Sequence, residues 1–96
     1  MAQKKKILII GRHPAIMEKV IVLLEKNGYD ATGANQNEEA IDLFRIRNFD
    51  AVVIGGGVDA ESKALFHNLF PAINSGIKIL DAHPNSILGD LKAQLG

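Results

Sequence analysis

The chain has 96 residues, 47% of them hydrophobic, eleven basic residues balanced by eleven acidic ones, and no cysteine. This length and apolar content suit one domain over residues 1–96 and are too small for two. The charge balance provides no net field for nucleic acid or an anionic membrane, and the lack of cysteine excludes disulfides, thiol chemistry and zinc–thiolate sites and fits a reducing cytoplasm.

MAQKKKILIIG has the basic start of a signal peptide, but its apolar run, Ile7 to Ile10, falls short of the roughly 7–15 residues a secretory core needs. A cytoplasmic domain is therefore expected, with Lys4, Lys5 and Lys6 as a solvated lead-in. KILII, stopped by Gly11, is a continuous apolar run expected of a strand buried on both faces. Pro14 suits the first turn of a helix. That helix carries Ile16, Val20, Leu23 and Leu24 as its predicted stripe and stops at Asn27-Gly28. YDATGA is a short second strand whose polar residues suit a sheet edge. Asn37, followed by Glu38 and Glu39, is the expected N-cap of a second helix reaching Asn48, with Ala40, Ile41, Leu43 and Phe44 inward.

AVVI is the third strand and runs into Gly55, Gly56 and Gly57. Asp59 then caps a third helix with Ala64, Leu65 and Leu69 among its expected buried positions, and Pro71 tightens or kinks its last turn. His67 is expected at the surface. IKIL is the fourth strand, and Pro84 opens a last helix with Ile87, Leu88, Leu91 and Leu95 on one face. Short apolar strands alternating with helices predict a parallel sheet in a three-layer α/β/α sandwich.

Two segments carry a resemblance. KKKILIIGRHP and LLEKNGYDATGANQNEEAIDLFRIRNFDAVVIG resemble the opening and middle of a response-regulator receiver domain, and the likeness runs from residue 4 to about residue 83. It implies a flavodoxin-like sheet of order 2-1-3-4, with the family's fifth strand and helix missing, so that residues 1–96 form a single truncated receiver-like domain. Receivers take a phosphoryl group on an aspartate at the end of the third strand; that position here is Gly55, which has no oxygen to offer. Their acidic pair after the first strand holds Mg²⁺, an ion that requires oxygen ligands. Gly11 and Arg12 stand there instead. The family's hydroxyl residue after the fourth strand corresponds to Asp81, and its lysine lies beyond a fifth strand. The resemblance thus implies a degenerate pseudo-receiver in a signal-transduction, two-component setting, with no phosphoryl chemistry.

The emptied site still has the makings of a crevice. In a parallel sheet, ligands bind outside the carboxyl ends of the strands. Strands lie about 4.8 Å apart, so turns two strands apart start roughly 10 Å from one another. Arg12, His13, Gly55, Gly56, Gly57, Asp81 and His83 would rim such a crevice. Glycine amides with Arg12 suit a small anion or a nucleotide phosphate, although GGGVDAES lacks the lysine and hydroxyl of a P-loop. Two histidines and a carboxylate are the raw material of a metal site, but the spacing is not a local motif and Arg12 repels a cation. The plain alternative is that the glycines serve tight turns, Arg12 pairs with Asp81 or Glu61, and the histidines are exposed.

No nucleophile stands in a strand-to-helix elbow, no dinucleotide fingerprint is present, and the Asp81/His83 spacing is a common one. No enzymatic activity, cofactor or metal is expected. The expected function is a non-phosphorylatable signalling module acting through protein–protein interaction, with a small-anion or nucleotide sensor as the alternative. The expected partner is a protein of a signalling pathway or a second copy in a homodimer, not nucleic acid or membrane. The last helix is expected to cross to the vacant fifth-helix position, on the same side of the sheet as the first helix, because the apolar face of the third and fourth strands would otherwise lie bare.

Overall fold

The computed structural model describes residues 4–81 and 86–95. Eight elements alternate: β1 (Lys6–Ile10), α1 (Pro14–Lys26), β2 (Asp30–Ala34), α2 (Asn37–Ile46), β3 (Ala51–Ile54), α3 (Ala60–Ile73), β4 (Lys78–Asp81) and α4 (Ile87–Leu95). The sheet is wholly parallel in the order β2-β1-β3-β4. Ile7 pairs with Ala31 on one side and Ala51 on the other, which puts β1 at the centre. No helix among the described residues is long and apolar enough to cross a membrane.

Alternation along the central strands divides the core in two. Leu8, Ile10, Val52 and Ile54 face Ala40 and Phe44 of α2 and Phe66 and Phe70 of α3. Ile7, Ile9, Ala51 and Val53 face the other way, onto Met17 and Leu24 of α1 and Ile87 and Leu91 of α4. Each strand residue of this set is at most 3% exposed, which explains why β1 and β3 read as unbroken apolar runs. The last helix therefore lies on α1's side of the sheet, as the bare-face argument requires, with two helices on each face. Pro84, its expected first residue, lies outside the described residues.

Two helical stripes differ from expectation. In α1, Met17 is buried and Ile16 is 55% exposed. Met17 fits because Gly33 of β2 has no side chain; a Cβ there would collide with Met17 Sδ and crowd Ile21 Cδ1. In α3 the inward residues are Ser62, Phe66 and Phe70, with Leu69 half-buried, whereas Ala64 is exposed and Leu65 is 42% exposed. The larger rings take the core. Phe70 stacks on Phe44 at 4.2 Å between centroids and on Phe66 at 5.1 Å. Pro71 does not end α3, which runs on to Ile73, and the Asn74 N–H bonds Phe70 O at 2.8 Å.

The ends of the helices follow local chemistry. α1 closes in a Schellman arrangement: Gly28 N–H donates to Glu25 O at 3.2 Å and Tyr29 N–H to Leu24 O at 3.0 Å. Gly28 has φ +88°, the left-handed region, and nothing lies within 4 Å of where its Cβ would be. Gly28→Ala should therefore cost only backbone strain, about 1–2 kcal/mol, read as a lower urea midpoint at unchanged slope. α2 begins one residue earlier in capping than expected: Gln36 is the N-cap and Asn37 the first helical residue. Glu39 Oε1 accepts from Asn35 N–H at 2.9 Å, tying the first turn to the preceding loop. The helix ends at Ile46, short of Asn48, because Arg47 is already extended.

Candidate functional site

The register of β1 against β3 pairs Ile10 with Ile54, so the loops that follow, Gly11–His13 and Gly55–Val58, emerge side by side at the carboxyl end of the sheet. Gly55 N–H donates to Ile10 O at 2.7 Å. A Cβ at Gly55 would sit 3.1 Å from that oxygen and 3.4 Å from Gly11 Cα, so the missing side chain lets the two strand ends close together. Val58 N–H bonds Gly55 O at 3.1 Å and closes the glycine turn.

Arg12 turns away from this turn toward the α2/α3 face. Its guanidinium donates to Asn35 O at 2.8 Å, to Asn37 Oδ1, and at 3.5 Å to Ser62 Oγ. Asn37 Nδ2 donates to Ser62 Oγ at 2.8 Å, and the Ser62 hydroxyl donates to Asp59 Oδ1 at 2.8 Å. Asp59 also caps α3 by accepting from Ser62 N–H at 3.1 Å, as its position predicts. The Ser62 hydroxyl and amide hold the Asp59 carboxyl below its ordinary value of 3.8, with a smaller contribution from Arg12 at 3.8 Å. The network satisfies Ser62, the one buried polar residue among those described.

This corrects the expected pairing of Arg12 with Asp81 or Glu61: its acidic partner is Asp59. Asp81 instead faces Lys63, at 3.8 Å, on the other side of the glycine turn. The two ion pairs are part-exposed and contribute little net stability. Each gives a charged side chain near the carboxyl end of the sheet a partner of opposite sign.

That space is a cavity of about 270 Å³, bordered by Gly11, Arg12, His13 and the three glycines Gly55, Gly56 and Gly57. Five residues of the predicted crevice thus meet in one place. Asp81 does not line it, and His83 lies outside the described residues. The remaining walls are aliphatic: Ile9, Ile10, Ile16, Met17, Val20 and Ile87. Sequence reasoning missed these walls, although Ile16 and Val20 at helical spacing beside a glycine-rich turn were a usable signal. His13 is the N-cap of α1 but makes no side-chain capping bond. Its ring lies where a Cβ on Gly57 would come within 3.3 Å. His67 is exposed on α3, as expected. Among the described residues, no group of three or more His, Cys, Asp or Glu side chains is placed to hold a metal ion.

No protein-family model and no curated protein matches the chain. Solved structures do. The response regulator TrrA from Thermotoga maritima, in complex with Mg²⁺ and BeF, is 25% identical over 85% of this chain and 73% of its own, with a TM-score of 0.65. A chain of the complex between the histidine kinase ThkA and TrrA superposes at a TM-score of 0.76 with 18% identity, covering 96% of this chain and 99% of that one. Vibrio cholerae chemotaxis protein CheY4 gives a TM-score of 0.69 at 18% identity, covering 97% and 82%. The fold is that of response-regulator receiver domains, the flavodoxin-like arrangement with a parallel sheet flanked on both faces.

Proposed function

We propose that this chain is a receiver-like signalling module that takes up no phosphoryl group and acts through contact with a protein partner. The observation that carries the reading is the end of β3, where Gly55 stands closely packed against Ile10 O and offers no nucleophilic oxygen. The neighbouring positions agree with it. Gly11 supplies no ligand for Mg²⁺, and Arg12 supplies a guanidinium held by Asn35, Asn37 and Asp59 where a receiver has a carboxylate. Such a domain engages its partner without a phosphorylation step at the end of β3. The association of TrrA with a histidine kinase supports a protein of a two-component pathway as the partner class. A homodimer is the rival arrangement; the edge of β4, which pairs with no further strand among the described residues, would serve it, since α4 already covers the apolar face beside α1.

Treatment with acetyl phosphate and Mg²⁺ should leave the intact mass unchanged. Gly55→Asp should not restore uptake, because the Mg²⁺ carboxylates would still be missing. A phosphoryl adduct mapped to Asp50, Asp59 or Asp81 of the wild type would overturn the reading. Sedimentation of the wild type separates the monomeric module from the dimer.

The anion-sensor alternative would draw on the glycine amides and Arg12, and the Arg12 guanidinium is engaged by Asn35, Asn37 and Asp59.

A further inference from the structure

We infer that the cavity at the carboxyl end of the sheet is a binding site for a small uncharged hydrophobic molecule, such as a medium-length aliphatic alcohol or an aromatic of one or two rings. The inference goes beyond the proposed signalling role and stands on the geometry alone.

The walls select the chemistry. Ile9 comes from β1, Met17 and Val20 from α1, and Ile87 from α4, so two helices and the sheet contribute apolar surface to one space. The described charges around it are turned outward: Arg12 to Asn35, Asn37 and Asp59, and Asp81 to Lys63. An anion entering here would lose its hydration and meet no free guanidinium, which is costly. A hydrophobe loses nothing of that kind and removes apolar wall from water.

The volume selects the size. An apolar cavity of roughly 150 Å³ holds benzene, and pockets for drug-sized ligands run from about 300 Å³ upward. About 270 Å³ lies between them. The space opens to solvent along the side of Ile16, Gly56 and Gly57, which are exposed, so a ligand can enter it. Glycines keep it open. A Cβ on Gly11 would reach within 3.3 Å of Met17 Cε, narrowing the space, and a Cβ on Gly56 would meet nothing within 4 Å. Ile16, at 55% exposure the second most exposed large apolar residue among those described, stands on the cavity wall, where a bound hydrophobe would cover it.

The consequence for signalling is mechanical. An occupant would touch α1, the β3–α3 turn and the first residue of α4 together, and so tighten the packing of α4 on the sheet.

NMR titration of the full chain, observing isoleucine methyls and backbone amides, tests the site with four probes: 1-octanol, indole, sodium octanoate and inorganic phosphate. The expected result is saturable shifts with 1-octanol or indole at Ile9, Ile16, Ile87 and Gly55–Gly57, with Kd below about 1 mM. Octanoate should bind at least about tenfold more weakly than 1-octanol, and phosphate should leave these signals unmoved. Gly11→Val, which grows into the space beside Met17, should weaken binding at least about tenfold while the amide dispersion stays native-like. Gly56→Leu, at a position free of steric neighbours, is the second blocking variant should Gly11→Val disturb the fold. Absence of saturable shifts with both hydrophobes, shifts confined to residues elsewhere, phosphate binding at the same residues, or undiminished binding in the folded blocking variant would each overturn the assignment. None of these outcomes bears on phosphoryl uptake, which the mass measurement tests separately.

Discussion

Leu91→Ala is expected to lower the unfolding free energy by about 2–5 kcal/mol. For a domain of this length, whose total stability is on the order of 5–14 kcal/mol, that is a large fraction. Leu91 is 0% exposed, and with Ile87 it is the part of α4 that closes the sheet face over Ile7, Ile9 and Val53. The helix has only nine residues and too little intrinsic stability to persist without that packing. Loss of the leucine side chain therefore acts on the helix as well as on the cavity left behind. Urea unfolding followed by circular dichroism measures the loss. Leu95→Ala, on the same stripe but half-buried, should cost clearly less. Equal and small effects at both positions would show that α4 does not depend on this seam.

Phe70→Ala is the second large effect, expected at about 3–5 kcal/mol. Phe70 is fully buried and is the middle ring of a stack that joins α2 to α3, with Phe44 on one side and Phe66 on the other. Removing it strips both neighbours of contact at once. Phe49 stacks only with Phe44, at the longer centroid distance of 6.3 Å, so its removal should leave the Phe66 side of the cluster in place. A double-mutant cycle between Phe44 and Phe70 should return a coupling of about 0.5–1.5 kcal/mol. A coupling near zero would mean that the two rings contribute by burial alone.

The strands and the helix count were legible because the information is local, whereas the strand order was what the receiver resemblance implied. KILII and AVVI are too short and too apolar for anything but buried strands, and the weak DATGA run belongs at an edge, where the structure places it. The side taken by α4 was legible only through the global requirement that both sheet faces be covered. The inward faces of α1 and α3 were not. In α1, apolar residues fill 20–24 continuously and flank Glu18 and Lys19, so several stripes compete. In α3 the adjacent pairs Leu65-Phe66 and Leu69-Phe70 fit two stripes about 100° apart, and ring stacking across to Phe44 decides between them. At the site, the glycines and Arg12 could be placed from sequence because they follow directly on strand ends. The partners of Arg12 could not: Asn35, Asn37 and Ser62 are 23, 25 and 50 residues away, and only the assembled sheet brings them together.

The central position of β1 has a consequence for how the chain is made. Ile7 to Ile10 needs β3 as its second neighbour, and β3 ends only at Ile54. At roughly 5–20 residues per second, synthesis of the intervening stretch takes roughly 2–9 s. During that interval one edge of this strand has no partner, and α1, β2 and then α2 are the elements available to cover it. The three lysines that precede it, Lys4, Lys5 and Lys6, stay exposed in the finished fold. They put charge next to the segment while it waits, as gatekeeper residues do beside strands prone to aggregate.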